Sequence, residues 1–128
     1  MIFSDLAQTF SDYTIHDALD TVRPSYKDHH EDFELYRKLQ KYYREGQNPT
    51  KLKGEKGWDL DKWKFLPMLH ETYRMAPPEV DWFVFIEADT SLSWPNLLQW
   101  LQTMNPKKPL YLGAQNVIGD TTFAHGGR

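Results

Sequence analysis

The sequence predicts an α/β chain built around a mostly parallel sheet, and three observations carry that expectation. Short runs of apolar, aromatic and β-branched residues recur at Ile2-Phe3, at 82–86 and at 110–112. Segments of helical periodicity lie between them, at 31–45, 58–75 and 93–104. The order strand, helices, strand, helix, strand calls for helical crossovers, which join parallel neighbours. About three strands are fewer than a doubly wound sheet carries. Residues 1–128 therefore read as one partial domain, continuing beyond both ends.

Along the chain, Ile2-Phe3 before Ser4-Asp5 reads as the tail of a strand. Residues 11–23 are ambiguous between loop and short helix, and 24–30 read as a polar connection. Over 31–45, Phe33, Tyr36, Leu39-Gln40 and Tyr43 fall at helical spacing, with Leu35 and Tyr42 alongside. Gly46 stands where a left-handed residue closes a helix. Residues 47–57 form a Lys-rich loop punctuated by Gly54 and Gly57.

The segment 58–75 carries an apolar stripe of Leu60, Trp63, Leu66, Leu69 and Tyr73. Pro67 inside it is expected to kink it or divide it. Trp82-Phe83-Val84-Phe85-Ile86 is a continuous apolar run, the mark of a strand buried on both faces. Ser93 is the expected N-cap of the next helix, with Pro95 in its first turn and Asn105-Pro106 as its stop. Leu110-Tyr111-Leu112-Gly113 reads as a second strand parallel to the first. Short β pieces are expected around Gly119, within 117–123.

Composition narrows the classes. Aromatic residues make up 15% of the chain, too many for a disordered one. A mean hydropathy of −0.70 implies ample polar surface. The net charge of −3 argues against a nucleic-acid groove. The absence of Cys removes disulfides and thiolate metal sites. No segment has the length of a membrane span. Residues 1–10 are not a targeting segment, for they lack a basic leader and carry Asp5.

Chemistry concentrates at the end of the central apolar run, where Glu87 and Asp89 precede Thr90. Two residues apart, both carboxylates share a side if the backbone is extended. Ligands of open α/β sheets bind at the carboxyl ends of strands, and paired oxygen donors there suit magnesium or manganese. The competing reading is a solvated turn or a helix cap. His29-His30 with Glu31-Asp32 resembles a metal cluster only by composition and reads as a solvated helix start whose acids favour the N-terminus. Trp63 and Trp100 fall at core-facing positions, whereas Trp94 is placed for ligand contact. Asp5 reads as a turn residue after the first strand, or as a nucleotide contact.

Four segments, in order, carry a family resemblance. They are Gly57-Trp58-Asp59-Leu60-Asp61-Lys62-Trp63-Lys64-Phe65-Leu66-Pro67-Met68, the run 82–90, Leu110-Tyr111-Leu112-Gly113, and Phe123-Ala124-His125-Gly126-Gly127. The series resembles the Fringe-like glycosyltransferases of family 31, related to core 1 β1,3-galactosyltransferases, and their fungal members above all. The resemblance implies an incomplete GT-A (Rossmann-like) nucleotide-sugar-binding domain. It implies a hexosyltransferase moving sugar from a UDP-sugar to a glycan or glycoprotein hydroxyl, with manganese or magnesium as cofactor. It also implies a full-length protein anchored in the Golgi membrane on its lumenal side, and no nucleic-acid partner.

The family's acidic motif is typically three Asp, where this chain has Glu87-Ala88-Asp89. Asp89 matches the last Asp and is the expected principal metal ligand. Glu87 keeps the charge on a longer arm and is expected to act through water. Ala88 lacks the central carboxylate. Such a cation neutralises charge building on the leaving nucleotide. Lys64 aligns with a family Lys and could steady donor phosphates as a point charge, the bland alternative being a solvated helix Lys. Gly126 and Gly127 match a Gly pair bordering the active site, where Gly permits close backbone approach. His125 reads as a residue near the donor or as an ordinary loop residue. The family's general base lies beyond residue 128, so no catalytic residue is assigned. Two alternatives stand beside this reading: a non-catalytic fragment or pseudoenzyme keeping part of the nucleotide site, and a metal-dependent exonuclease, whose acid-x-acid-Thr order is reversed here.

Overall fold

β-Branched, aromatic and turn residues interleave through the first seventeen positions, and they close into a three-stranded sheet. Its strands are β1 (Ile2–Ser4), β2 (Gln8–Phe10) and β3 (Tyr13–Asp17), in the order β1-β3-β2. β1 pairs with β3 in parallel, Ile2 opposite Ile15. β2 pairs with β3 antiparallel, Phe10 opposite Tyr13. The tight turn between them holds Ser11 at φ 51°, a left-handed conformation that L side chains rarely adopt. Residues 13–17 are thus a strand, where the sequence left loop and helix open.

The computed structural model describes residues 1–52 and 57–125, in two compact units, Met1–Ala76 and Pro77–Arg128. The architecture is mixed α/β. In the first unit, the expected polar connection at 24–30 is instead helix α1 (Pro24–His29). Pro24 opens it, its missing N–H being no loss at a helix start. The His30 ring then accepts the Asp32 N–H at 3.2 Å and starts a 3-10 turn, Glu31–Phe33, that leads into α2 (Glu34–Arg44). Gly46 follows at φ +65° and closes α2 as expected.

The long segment expected at 58–75 is divided into α3 (Gly57–Asp61) and α4 (Phe65–Met75). Pro67 explains the division. In a continuous helix its ring would clash with the carbonyl of Trp63. Restarting at Phe65 places Pro67 in the first turn of α4, where backbone N–H groups have no intrahelical partner anyway. The core of this unit is Leu19, Phe33, Tyr36 and Leu60, with Val22 and Trp63 packed against it. Burying each such side chain contributes roughly 1.5–3 kcal/mol.

In the second unit the expectation of a buried central strand is corrected. Residues 82–86 run without any ladder, and Val84, Phe85 and Ile86 are 40%, 45% and 59% exposed. Residues 110–112 are likewise outside any strand. A strand is stabilised only when a neighbour answers its N–H and C=O groups, and these two runs do not answer each other. The mostly parallel sheet is corrected with it: of the three ladders among the described residues, only β1–β3 is parallel. The helix expected at 93–104 forms as α5 (Trp94–Gln102). Ser93 occupies its N-cap without a side-chain capping bond. The β pieces around Gly119 form a hairpin, β4 (Ala114–Ile118) with β5 (Thr121–His125), turning at Gly119 with φ +58°.

Candidate functional site

The acid pair of the second unit sits on a reverse turn. The Thr90 N–H donates to the Glu87 carbonyl at 3.0 Å, and the Glu87 N–H donates to Thr90 Oγ1 at 3.3 Å. Ala88 and Asp89 form the turn, and Glu87 and Asp89 are both exposed. The turn replaces the extended backbone that would have aligned the two carboxylates. In chemistry the pair fits a hard cation, since both donors are carboxylate oxygens. In number it supplies only part of a shell. Among the described residues no group of three or more His, Asp or Glu side chains is placed to hold a metal, so ligand oxygens and water would complete the coordination.

In the same unit, α5 and the 81–84 stretch line an open groove of about 460 Å³, to which no residue of the turn contributes. Trp82, Val84, Trp94, Leu98 and Met104 make it largely apolar. Trp94 is half exposed there. Trp100, expected in the core, is half exposed instead. His125 ends β5 with its ring edge-on to Phe123, centroids 6.1 Å apart. Gly126 and Gly127 lie outside the described residues.

In the first unit, polar groups gather at the carboxyl edge of the parallel β1–β3 pair. Asp17 ends β3, and Asp5 follows β1. The Asp17 carboxylate accepts the Tyr36 hydroxyl at 2.6 Å and the Leu19 N–H at 2.8 Å. Gln40 spans the edge, donating to the Asp5 carbonyl at 3.0 Å and to Asp17 Oδ2 at 3.4 Å. Burial pushes the Asp17 carboxyl above its usual value, against the lowering effect of the Tyr36 and Leu19 bonds. Burial and the Asp17 contact push the Tyr36 phenol upward.

Lys64, just ahead of α4, is not a solvated helix lysine. Its ammonium is mostly buried and lies 2.8 Å from Asp5 Oδ1 and 2.8 Å from Asp61 Oδ1. Burial, the largest single influence, pulls its pKa down. The two carboxylates together outweigh it, and the net direction is upward.

A second polar centre is structural. Asp32, nearly buried, accepts the Trp63 indole N–H at 2.7 Å and pairs with Lys62 at 2.8 Å. The Lys62 and Trp63 bonds hold its carboxyl below the usual range. Trp63 stacks among Tyr26, His30 and Phe33, with centroids 5.1–5.3 Å away. This accounts for Trp63 as packing; His30 and Asp32 form a helix start as expected, but Asp32 is buried there rather than solvated.

The Asp17–Tyr36 bond was not singled out from sequence, although a signal existed. A Tyr on the core-facing stripe of a helix brings a hydroxyl that needs a buried acceptor. Comparison of the chain with protein-family models, with curated proteins and with solved structures finds no match.

Proposed function

We propose that this chain is the donor-binding part of a UDP-sugar-dependent glycosyltransferase of GT-A type, which transfers a hexose to a glycan or glycoprotein hydroxyl. The observation that carries the reading is the acid pair. An apolar run delivers Glu87 and Asp89 to an exposed turn, within a series of four segments in the family's order. In this reading Asp89 is the principal ligand of a manganese or magnesium ion, and Glu87 assists through water. When bound, the cation neutralises charge developing on the leaving UDP.

The chain's own residues do the rest of the binding. Thr90 fixes the turn through two hydrogen bonds with the Glu87 backbone, so the backbone that carries the two carboxylates is held before a ligand arrives. Trp94 offers a half-exposed ring for an apolar sugar face. Transfer also needs an acid–base group within hydrogen-bond reach of the acceptor hydroxyl. The family resemblance assigns that part to none of the residues named here, and residues 1–128 alone are proposed to bind donor without turning it over. The full-length protein is proposed to be Golgi-membrane anchored.

The test is calorimetric titration with UDP, with and without manganese. The expected result is binding that requires manganese, weakened at least about tenfold by Asp89→Ala and less by Glu87→Ala, since one lost charged contact is worth roughly 1.5–3 kcal/mol. A folded chain that does not bind UDP, or an affinity untouched by Asp89→Ala, overturns the assignment.

A further inference from the structure

Between α1 and α2, one imidazole nitrogen meets two groups that make opposite demands on it. His30 Nδ1 accepts the Asp32 N–H at 3.2 Å and lies 3.5 Å from Asp32 Oδ2. A ring nitrogen that accepts carries no proton, so the neutral ring holds its proton on Nε2. Once protonated, the ring donates from both nitrogens. Nδ1 can then no longer receive the Asp32 N–H, and the carboxylate oxygen beside it becomes the matching partner. The ring can change partners without moving the chain, because other bonds hold the backbone. The His30 N–H donates to the Tyr26 carbonyl at 2.9 Å, and the His30 carbonyl accepts Arg37 Nη1 at 3.1 Å.

Asp32 Oδ2 already takes two donors, the Lys62 ammonium at 2.8 Å and the Trp63 indole N–H at 2.7 Å. A carboxylate oxygen has two lone pairs, so a third donor displaces one of these. Trp63 is packed against Tyr26, His30 and Phe33 and is not the one to leave. The Lys62 side chain is 61% exposed, and an exposed ion pair costs little to give up. Repulsion between two cations on one carboxylate acts in the same direction. Of the other titratable groups around the ring, Tyr26 of α1 faces it with centroids 6.3 Å apart. Lys27 of α1 bonds the Asp20 carbonyl, Arg37 of α2 bonds the His30 carbonyl, and Asp59 and Glu31 act on Lys62 through their charge.

We propose that His30 is a proton-operated switch at the α1–α2 junction: protonation ends its capping bond with the Asp32 N–H, turns Nδ1–H to the Asp32 carboxylate, and releases Lys62 from that carboxylate to solvent. Imidazole is the side chain whose charge changes across the physiological pH range. Mild acidification therefore becomes an exchange of charge partners within the first unit, independent of the donor-binding reading.

The experiment follows the wild-type chain by NMR from about pH 8 to about pH 5, the range in which imidazole titrates, with circular dichroism to confirm folding. The expected result at the alkaline end is a neutral His30 ring protonated on Nε2. On acidification the His30 ring, the Asp32 amide and the Lys62 side-chain resonances should move with one midpoint, Lys62 toward the shifts of a solvated lysine. The Trp63 indole N–H should keep its slow exchange throughout. In His30→Asn, whose side chain caps but does not titrate, the Lys62 and Asp32 signals should stay constant over the same range. A neutral ring protonated on Nδ1, a protonated ring with Lys62 unmoved, or a Lys62 response that survives in His30→Asn overturns the switch. If His30→Asn does not fold, the wild-type titration decides by itself.

Discussion

Tyr36 contributes through its hydroxyl as well as its ring. The 2.6 Å bond to Asp17 ties α2 to the end of β3 inside the core. Tyr36→Phe should cost about 1–2 kcal/mol in urea unfolding, the loss of a hydrogen bond to a charged acceptor. The same site sets a pH dependence. Burial raises the Asp17 carboxyl above 3.8 in the folded chain, so the fold binds its proton more tightly than the unfolded chain does. Between 3.8 and the raised value the folded state holds more protons, and stability falls as pH climbs through that window. Asp17→Asn should remove this slope from the pH profile of unfolding. Tyr36→Phe should extend the window upward, because the hydroxyl it removes is one of the groups holding the carboxyl down.

At this scale the acid pair was legible, because Glu87 and Asp89 stand alone after an apolar run. Their turn was not legible, since nothing local told a strand end from a hydrogen bond closed by Thr90. The Lys64 pairing was hidden for a different reason. Asp5 and Lys64 are fifty-nine positions apart in sequence, and only the packed first unit brings them together.

Elements divide by how local their signals are. α2 was readable because its stripe, its acidic start and its closing glycine all lie within one segment. β3 was not, because Tyr13-Thr14-Ile15-His16-Asp17 becomes a strand only through β1 and β2 on its two edges. The turns give sharper predictions. Gly119 sits at φ +58° with open space around its α-carbon, so Gly119→Ala should cost about 1 kcal/mol through backbone strain alone. Ser11 occupies the same region without being glycine, and Ser11→Gly should raise stability by about 0.5 kcal/mol. Thermal unfolding of the two variants, read against the wild-type chain, checks both signs. Gly113 differs from these: an added Cβ would run into the carbonyl oxygen of His125, so Gly113→Ala is expected to displace the 110–113 stretch from β5.

Across the whole molecule, burial is unevenly shared. Leu19, Phe33, Tyr36 and Leu60 belong to the first unit, and Leu101 is the one buried apolar residue of the second among the described residues. Amide protection follows buried contact and internal hydrogen bonding. Hydrogen exchange should therefore be slowest in β3 and α2 and fast through 82–86. Uniform protection across both units would contradict the description. The α/β class was legible from alternating periods. That 82–86 and 110–112 stay outside any ladder was not, because a strand-like composition states a preference for β structure without supplying a neighbour.

That run outside any ladder has a practical meaning as well. Proteases accept substrate segments that lie outside helices and ladders, and 82–86 is such a segment, with Trp82 and Phe85 among its side chains. An endopeptidase that cuts after aromatic residues meets its preferred side chains there with no ladder or helix to open. Limited digestion would make its first cuts there and spare the tyrosines held in α2, so that a run outside any ladder becomes the point of scission.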